Sequence, residues 1–181
     1  MDLHPQNRQI AGPTLQTARL TLRGLHKDDL DDVVRHAGDY EVSKWLVAVP
    51  HPYTYGHAEE FFALDREGGL GTLWVITRDK AFFGIVSVGN SLGYWLARDA
   101  WGQGYMSEAA QAAVDHHFEG TADEVIRSSH FEGNHGSQRI LQKLGFVEVG
   151  AHVHFSKAQQ ANVPGREMTL SRAHWRALRN G

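Results

Sequence analysis

Apolar and polar residues alternate through LQTARLTLRGL, residues 15–25, with Leu20 and Leu22 on one face and Leu25 flanking them. That period of two predicts a half-buried strand. KDDLDDVVRHAG follows with Leu30, Val33, Val34 and Ala37 at helical spacing, acids in the first turn and Gly38 at the end, which predicts a helix. Thr54 is placed to cap a second helix with Ala58, Phe61, Phe62 and Leu64 on its apolar face. LWVIT (73–77) and AFFGIVSVG (81–89), separated by the turn-like RDK, read as an antiparallel hairpin, and SLGYWLA (91–97) as the next strand. Ala109, Ala110, Ala113, Val114, His117 and Phe118 then form one packing stripe of a helix spanning about Ser107 to Glu119. VIRSSHF (125–131) is a strand, and SQRILQKLGF a short helix closed by Gly145. FVEVGAHVHF (146–155) and REMTL (166–170) are the last strands, ahead of the basic segment SRAHWRALRN.

This order predicts a single α+β domain: a mixed, mostly antiparallel central sheet flanked by helices, with one β–helix–β crossover in the middle. No repeat or linker divides the chain, so residues 1–14 read as an N-terminal tail and 15–181 as the domain. A length of 181 residues suits one domain with a proper core. The chain has no cysteine, which excludes disulfides, thiolate metal sites and a cysteine nucleophile. A net charge of −3 supplies no basic field for nucleic acid. No apolar run approaches the ~20 residues of a membrane span, and MDLHPQNRQIAGP has no signal-like core. The expectation is a cytoplasmic protein without membrane or nucleic-acid partners.

Twelve histidines raise the question of a metal. His116 and His117 are adjacent on a helix and so point about 100° apart, which leaves His152-x-His154 as the one credible pair. With no acids or cysteines at ligand spacing beside it, no metal is expected. That pair and the following loop SKAQQANVPG would instead border an acceptor pocket.

WGQGYMSEAAQ, residues 101–111, joins the GYWLA strand to the alanine-rich helix. Glycine costs roughly 0.5–1 kcal/mol against alanine in regular structure, so Gly102 and Gly104 need a reason. One reading is a turn needing positive φ. The other is an anion cradle, because a glycine turn opening a helix presents unpaired N–H groups and the positive end of the helix dipole. Ser107 would add a hydroxyl or cap the helix. No GxGxxG follows the first strand and no GxxxxGK[ST] occurs, so dinucleotide and P-loop readings fail.

GYWLARDAWGQGYMSEA, followed about thirty residues later by NHGSQRILQKLGF, resembles the GNAT superfamily of N-acetyltransferases, in its RimJ/RimL-like branch. TARLTLRGLHKDDLDDV, PYTYGHAEEFF and the final LSRAHW fit the branch as well, so the likeness spans about Leu15 to Trp175. It implies the GNAT fold and acetyl-CoA as donor substrate. The pyrophosphate would lie on the turn formed by Trp101, Gly102, Gln103, Gly104, Tyr105, Met106 and Ser107. Trp101, Gly104 and Met106 occupy the signature positions, Met106 being larger than the usual alanine. The pantetheine arm would pair with the backbone of Trp95, Leu96 and Ala97, where an amide would polarise the thioester carbonyl. Asn134 would bind the pantetheine or phosphate region, Ser137 would sit near the thiol, and Arg139 and Lys143 would reach adenosine-side phosphate.

The implied activity is transfer of the acetyl group to a primary amine, on a protein N-terminus or a small molecule, by direct attack. It needs an unprotonated amine and a proton donor for the thiolate. Near pH 7.4 an α-amine is roughly a quarter neutral but a lysine amine only about 0.1% neutral, so the two substrate types make different demands on the base. Ser137 stands at the acid position. The base that several relatives carry as a glutamate is replaced here by Arg127. His130 and Glu132 are the nearest candidates, with Glu59 or Glu60 on the second helix behind them. His130 is favoured because an ordinary histidine pKa near 6.5 suits a base at neutral pH. Tyr55, His57 and Glu60 are expected on the acceptor side. The missing strand glutamate and Met106 keep a rival in view, a non-catalytic acetyl-CoA sensor of the same fold. Relatives suggest a monomer or a homodimer.

Overall fold

The computed structural model describes residues 12–180. Residues 1–11 of the expected tail lie outside them. The predicted first strand is broken in two, β1 (Leu15–Gln16) and β2 (Thr21–Arg23), because Thr17 N–H turns back to the Leu20 carbonyl at 2.9 Å. A 3₁₀ turn (Lys27–Asp29) leads into α1 (Leu30–Ala37). Arg23 grips the Asp29 carboxylate with both terminal guanidinium nitrogens, at 2.8 and 2.7 Å. Burial opposes ionisation of Asp29, but the bonds from Arg23 and the His26 amide outweigh it and hold its pKa below the usual range. A one-turn helix, α2 (Tyr40–Ser43), has too short a pattern to be legible in sequence.

Thr54 caps α3 (Tyr55–Arg66), accepting from His57 N–H. Ala58 is buried as expected, but Leu64 is exposed, so the apolar face is narrower than its sequence suggested. β3 (Thr72–Arg78), β4 (Ala81–Val88) and β5 (Leu92–Leu96) complete an antiparallel sheet in the order β1-β2-β3-β4-β5. α4 (Tyr105–Gly120) begins two residues before Ser107, with Gly104 in the left-handed conformation at its start, so Ser107 lies inside the first turn and does not cap it. β6 (Val125–Phe131), α5 (His135–Leu144), β7 (Val147–Ser156), β8 (Ala161–Ser171) and α6 (Arg172–Asn180) follow. β8 takes up half of the expected loop, and pairs between β6 and β7 in a second antiparallel sheet.

Strand alternation sorts the two faces. Leu22, Trp74, Ile76, Val86, Ile126, Met168 and Leu170 pack with α4 in the main core, and Leu73, Val75 and Ile85 with α1 and α3 in a smaller one. The β5–α4–β6 crossover brings β6 beside β5 in parallel, but among the described residues the two sheets are bridged only at Ser91–Arg127. Arg127 N–H donates to Asn90 O (3.1 Å) and Ser128 Oγ to Leu92 O (2.9 Å). Beyond Leu92 the strands diverge. Among the described residues no helix is long and apolar enough to cross a membrane.

Candidate active site

The divergence of β5 from β6 opens a cavity of about 1080 Å³. Its first wall is the glycine turn. Gly102 and Gly104 have φ of 73° and 78°, and the space where a Gly102 side chain would stand is empty. The amides of Gly102, Gly104, Tyr105, Met106 and Ser107 have no acceptor among the described residues. These are the orphan donors of a helix start, left open at a cavity wall. Arg19 holds the turn from behind. Its guanidinium donates to Gln103 O (2.9 Å) and Glu108 Oε2 (2.7 Å) and lies 4.7 Å from the Tyr105 ring. Burial opposes ionisation of Glu108, but hydrogen bonds from Thr17 and Arg19 override it and keep its pKa below normal. Met106 is 3% exposed and belongs to the core, so its bulk sits beneath the turn.

The β5 edge is the second wall. Ala97 N–H donates to Phe83 O (2.8 Å), so Ala97 and, by alternation, Trp95 direct their backbone groups at β4. Tyr94 and Leu96 face the gap instead. Trp101 Nε1 donates to Leu96 O (3.0 Å), which leaves the Leu96 amide and both backbone groups of Tyr94 free to pair with an extended arm. The expected backbone partners therefore narrow to Leu96, with Tyr94 replacing Ala97. Gln103 is turned away too, its carbonyl on Arg19 and its amide nitrogen on Asp99 O at 3.2 Å.

α5 forms the third wall. Asn134 Oδ1 accepts from Ser137 N–H at 3.1 Å, a helix cap that fixes both residues at the cavity. Tyr94 Oη lies 2.9 Å from Ser137 Oγ. Burial pushes the Tyr94 phenol well above its ordinary pKa, only partly offset by the Ser137 bond, so it keeps its proton. Arg139 and Lys143 line the cavity with no ion-pair partner among the described residues, a cationic flank to the anion cradle.

Strand alternation places the candidate bases. Ile126, Ser128 and His130 share the α4 face of β6, while Arg127 and Ser129 share the opposite face. His130 is buried and lines the cavity, with Nδ1 3.1 Å from Phe131 O and Nε2 unpartnered among the described residues. Glu132 is bound to Arg166 at 2.9 Å in a separate shallow pocket. On α3, His57 Nδ1 accepts from Thr54 N–H at 3.0 Å as part of a capping box, and Glu60 lies near Tyr53. Tyr55, His57 and Glu60 do not line the cavity.

The opposite opening is walled instead by Trp45, Leu46 and Val47 after α2, by Trp95, and by Arg127, Ser129, Val149, His154, Glu167 and Thr169 of the second sheet. The segment after α2 is tied there by Gln159 Nε2 to Lys44 O (2.7 Å) and Lys157 N–H to Val47 O (3.3 Å). His154 lines this opening, but none of residues 156–165 of the expected loop does; they reach only Lys44 and Val47 of the segment after α2. The His152 and His154 rings lie tilted against each other with centroids 4.1 Å apart, and burial, then His154, lowers the His152 pKa. Among the described residues no group of three histidine or acid side chains is arranged to hold a metal ion. Tyr94 and Glu167 were missed in the sequence. Alternation along GYWL would have separated Tyr94 from Trp95, whereas only the β6–β8 register brings Glu167 opposite Ser129.

Residues 19–147 match the family model described as acetyltransferase (GNAT) domain. The chain is 28% identical over 159 residues to uncharacterized N-acetyltransferase p20 of Bacillus licheniformis, covering 81% of this chain and 89% of that one. Its fold is similar to RimJ of Mycobacterium smegmatis in complex with CoA-disulfide, at TM-score 0.72 and 21% identity over 90% of this chain and 87% of the other. It is also similar to spermidine N-acetyltransferase of Vibrio cholerae in complex with CoA and spermine, at TM-score 0.75 and 18% identity over 87% and 98%. With the divided sheet and the free amide turn, the match places this chain in the GNAT family of acetyl-CoA-dependent acetyltransferases.

Proposed function

We propose that the protein transfers the acetyl group of acetyl-CoA to a primary amine by direct attack within the β5–β6 gap. The observation that carries this is one cavity with the free-amide turn on one side and a polar, aromatic-rimmed opening on the other. Acetyl-CoA supplies the activated acetyl thioester. The amides of Gly102, Gly104, Tyr105, Met106 and Ser107 would hold its pyrophosphate, with Arg139 and Lys143 neutralising phosphate charge nearby. Leu96 N–H and the Tyr94 backbone would align the pantetheine arm, and a β5 amide would polarise the carbonyl oxygen. Ser137 Oγ would deliver a proton to the departing sulfur, with the neutral Tyr94 phenol holding the hydroxyl in place and the proton released by the attacking nitrogen restoring it. The N-acetyltransferase p20 and the spermidine N-acetyltransferase support an amine as acceptor.

The test is thiol release from acetyl-CoA across a panel of amino acids, polyamines and peptides, with coenzyme A binding measured alongside. The expected result is saturable binding and acceptor-dependent release. Binding without any acceptor raising release above hydrolysis would make the protein a sensor module instead. No binding of coenzyme A would overturn the reading.

A further inference from the structure

The opening opposite the glycine turn carries one feature that the GNAT assignment does not explain. Arg127 and Glu167 both line it, and neither has an ion-pair or side-chain hydrogen-bond partner among the described residues. In the β6–β8 register Arg127 stands opposite Thr169 and Ser129 opposite Glu167. Arg127 and Glu167 are therefore diagonal neighbours on one face, about 7–8 Å apart in such a pair with the Cβ atoms somewhat closer. Two opposite charges at that spacing would ordinarily close on each other, yet no contact within 4 Å forms. Glu167 instead turns its carboxylate toward β7, over Gly150 and beside His152, while both charged residues still line the cavity.

We propose that this pair recognises an α-amino acid with an apolar side chain as the acetyl acceptor, a reading that rests on the acetyltransferase function proposed above. Arg127 takes the carboxylate, which its planar fork suits. Glu167 takes the ammonium group and is the catalytic base. Trp45, Leu46, Val47 and Val149 supply an apolar wall for the side chain. A polyamine would bring a second cation toward Arg127 with a single carboxylate to receive both. A peptide N-terminus would leave Arg127 without an anion. The neighbouring carboxylate also makes an amino acid's amine more basic than a peptide's, which calls for a carboxylate base. Glu167 takes one proton from the ammonium. The nitrogen then bonds the acetyl carbon and gives up a second proton, which reaches the departing sulfur through Ser137 as the C–S bond breaks. One amide, one thiol and one protonated Glu167 result.

The experiment compares phenylalanine, phenylalanine amide and spermidine by calorimetric binding to the coenzyme A-loaded protein and by acetyl transfer. Phenylalanine is expected to bind at least tenfold more tightly than its amide, and spermidine to bind weakly. Arg127→Ala should weaken phenylalanine about 10–100-fold, the worth of charged hydrogen bonds, and leave the amide's affinity unchanged. Glu167→Gln should lower kcat for phenylalanine about 100-fold while coenzyme A binding stays intact. Equal affinity for phenylalanine and its amide, or an Arg127→Ala variant that still prefers the acid, would overturn the proposal. Tight coenzyme A binding in the same samples would show that the donor reading survives such a failure. Loss of coenzyme A binding in the parent protein would instead count against both.

Discussion

Ser137→Ala is expected to lower kcat about 100-fold, or ~2.7 kcal/mol, with little change in the affinity for coenzyme A. The hydroxyl stands at the start of α5, where the Asn134 cap holds the Ser137 amide at 3.1 Å and Tyr94 Oη holds Ser137 Oγ at 2.9 Å. Alanine keeps the helix and the amide bond but removes the proton donor. Tyr94→Phe should act through the same hydroxyl, releasing its orientation, for a loss of about tenfold. Because the two groups work as one unit, the double variant should be no slower than Ser137→Ala alone. Single-turnover acetyl transfer checks this. Additive losses would show that Tyr94 acts independently, and an unchanged rate in Ser137→Ala would remove the serine from the chemistry.

Arg172→Leu is expected to destabilise the fold by about 3 kcal/mol. Its guanidinium is almost wholly buried where β8 passes into α6. It donates to Phe118 O (2.5 Å), Thr121 O (2.7 Å) and Asp123 O (2.9 Å), and lies 5.0 Å from the Phe118 ring. One side chain thus satisfies the carbonyls that end α4 and lead into β6. Leucine matches much of the volume but strands three acceptors, and the Phe118 carbonyl has little access to water. Arg172→Lys, with a single ammonium, should recover less than half of the loss. Urea unfolding with an unchanged m-value measures it. A loss below about 1 kcal/mol would mean that water replaces the guanidinium at all three carbonyls.

The order of elements was readable because each long segment carried a clean period. The hairpin, the alanine stripe of α4 and the α5 helix closed at Gly145 stand within a few residues of their expected places. Short range defeats the pattern. The Thr17 turn splits one alternating run, and α2 is a single turn. The donor side of the site was legible for a related reason: the glycine turn and the Asn134–Ser137 cap are local motifs whose geometry follows from neighbours in sequence. The acceptor side was not. Glu167 reaches the cavity through pairing across 38 residues, and His57 resembled a pocket residue while serving as a helix cap. His130, favoured by side-chain chemistry, lines the cavity from the other face of β6 than Arg127 and Ser129, because a strand gives each residue one side only.

The central claim is that the free amides at the start of α4 receive the donor. Titrating isotope-labelled protein with coenzyme A and following backbone amide resonances tests it most directly. The account predicts saturable binding with the largest shifts at Gly102, Gly104, Tyr105, Met106 and Ser107, and smaller ones at Tyr94, Leu96 and Ser137. Saturable binding whose shifts cluster on α3 or α6 and spare the turn would contradict it.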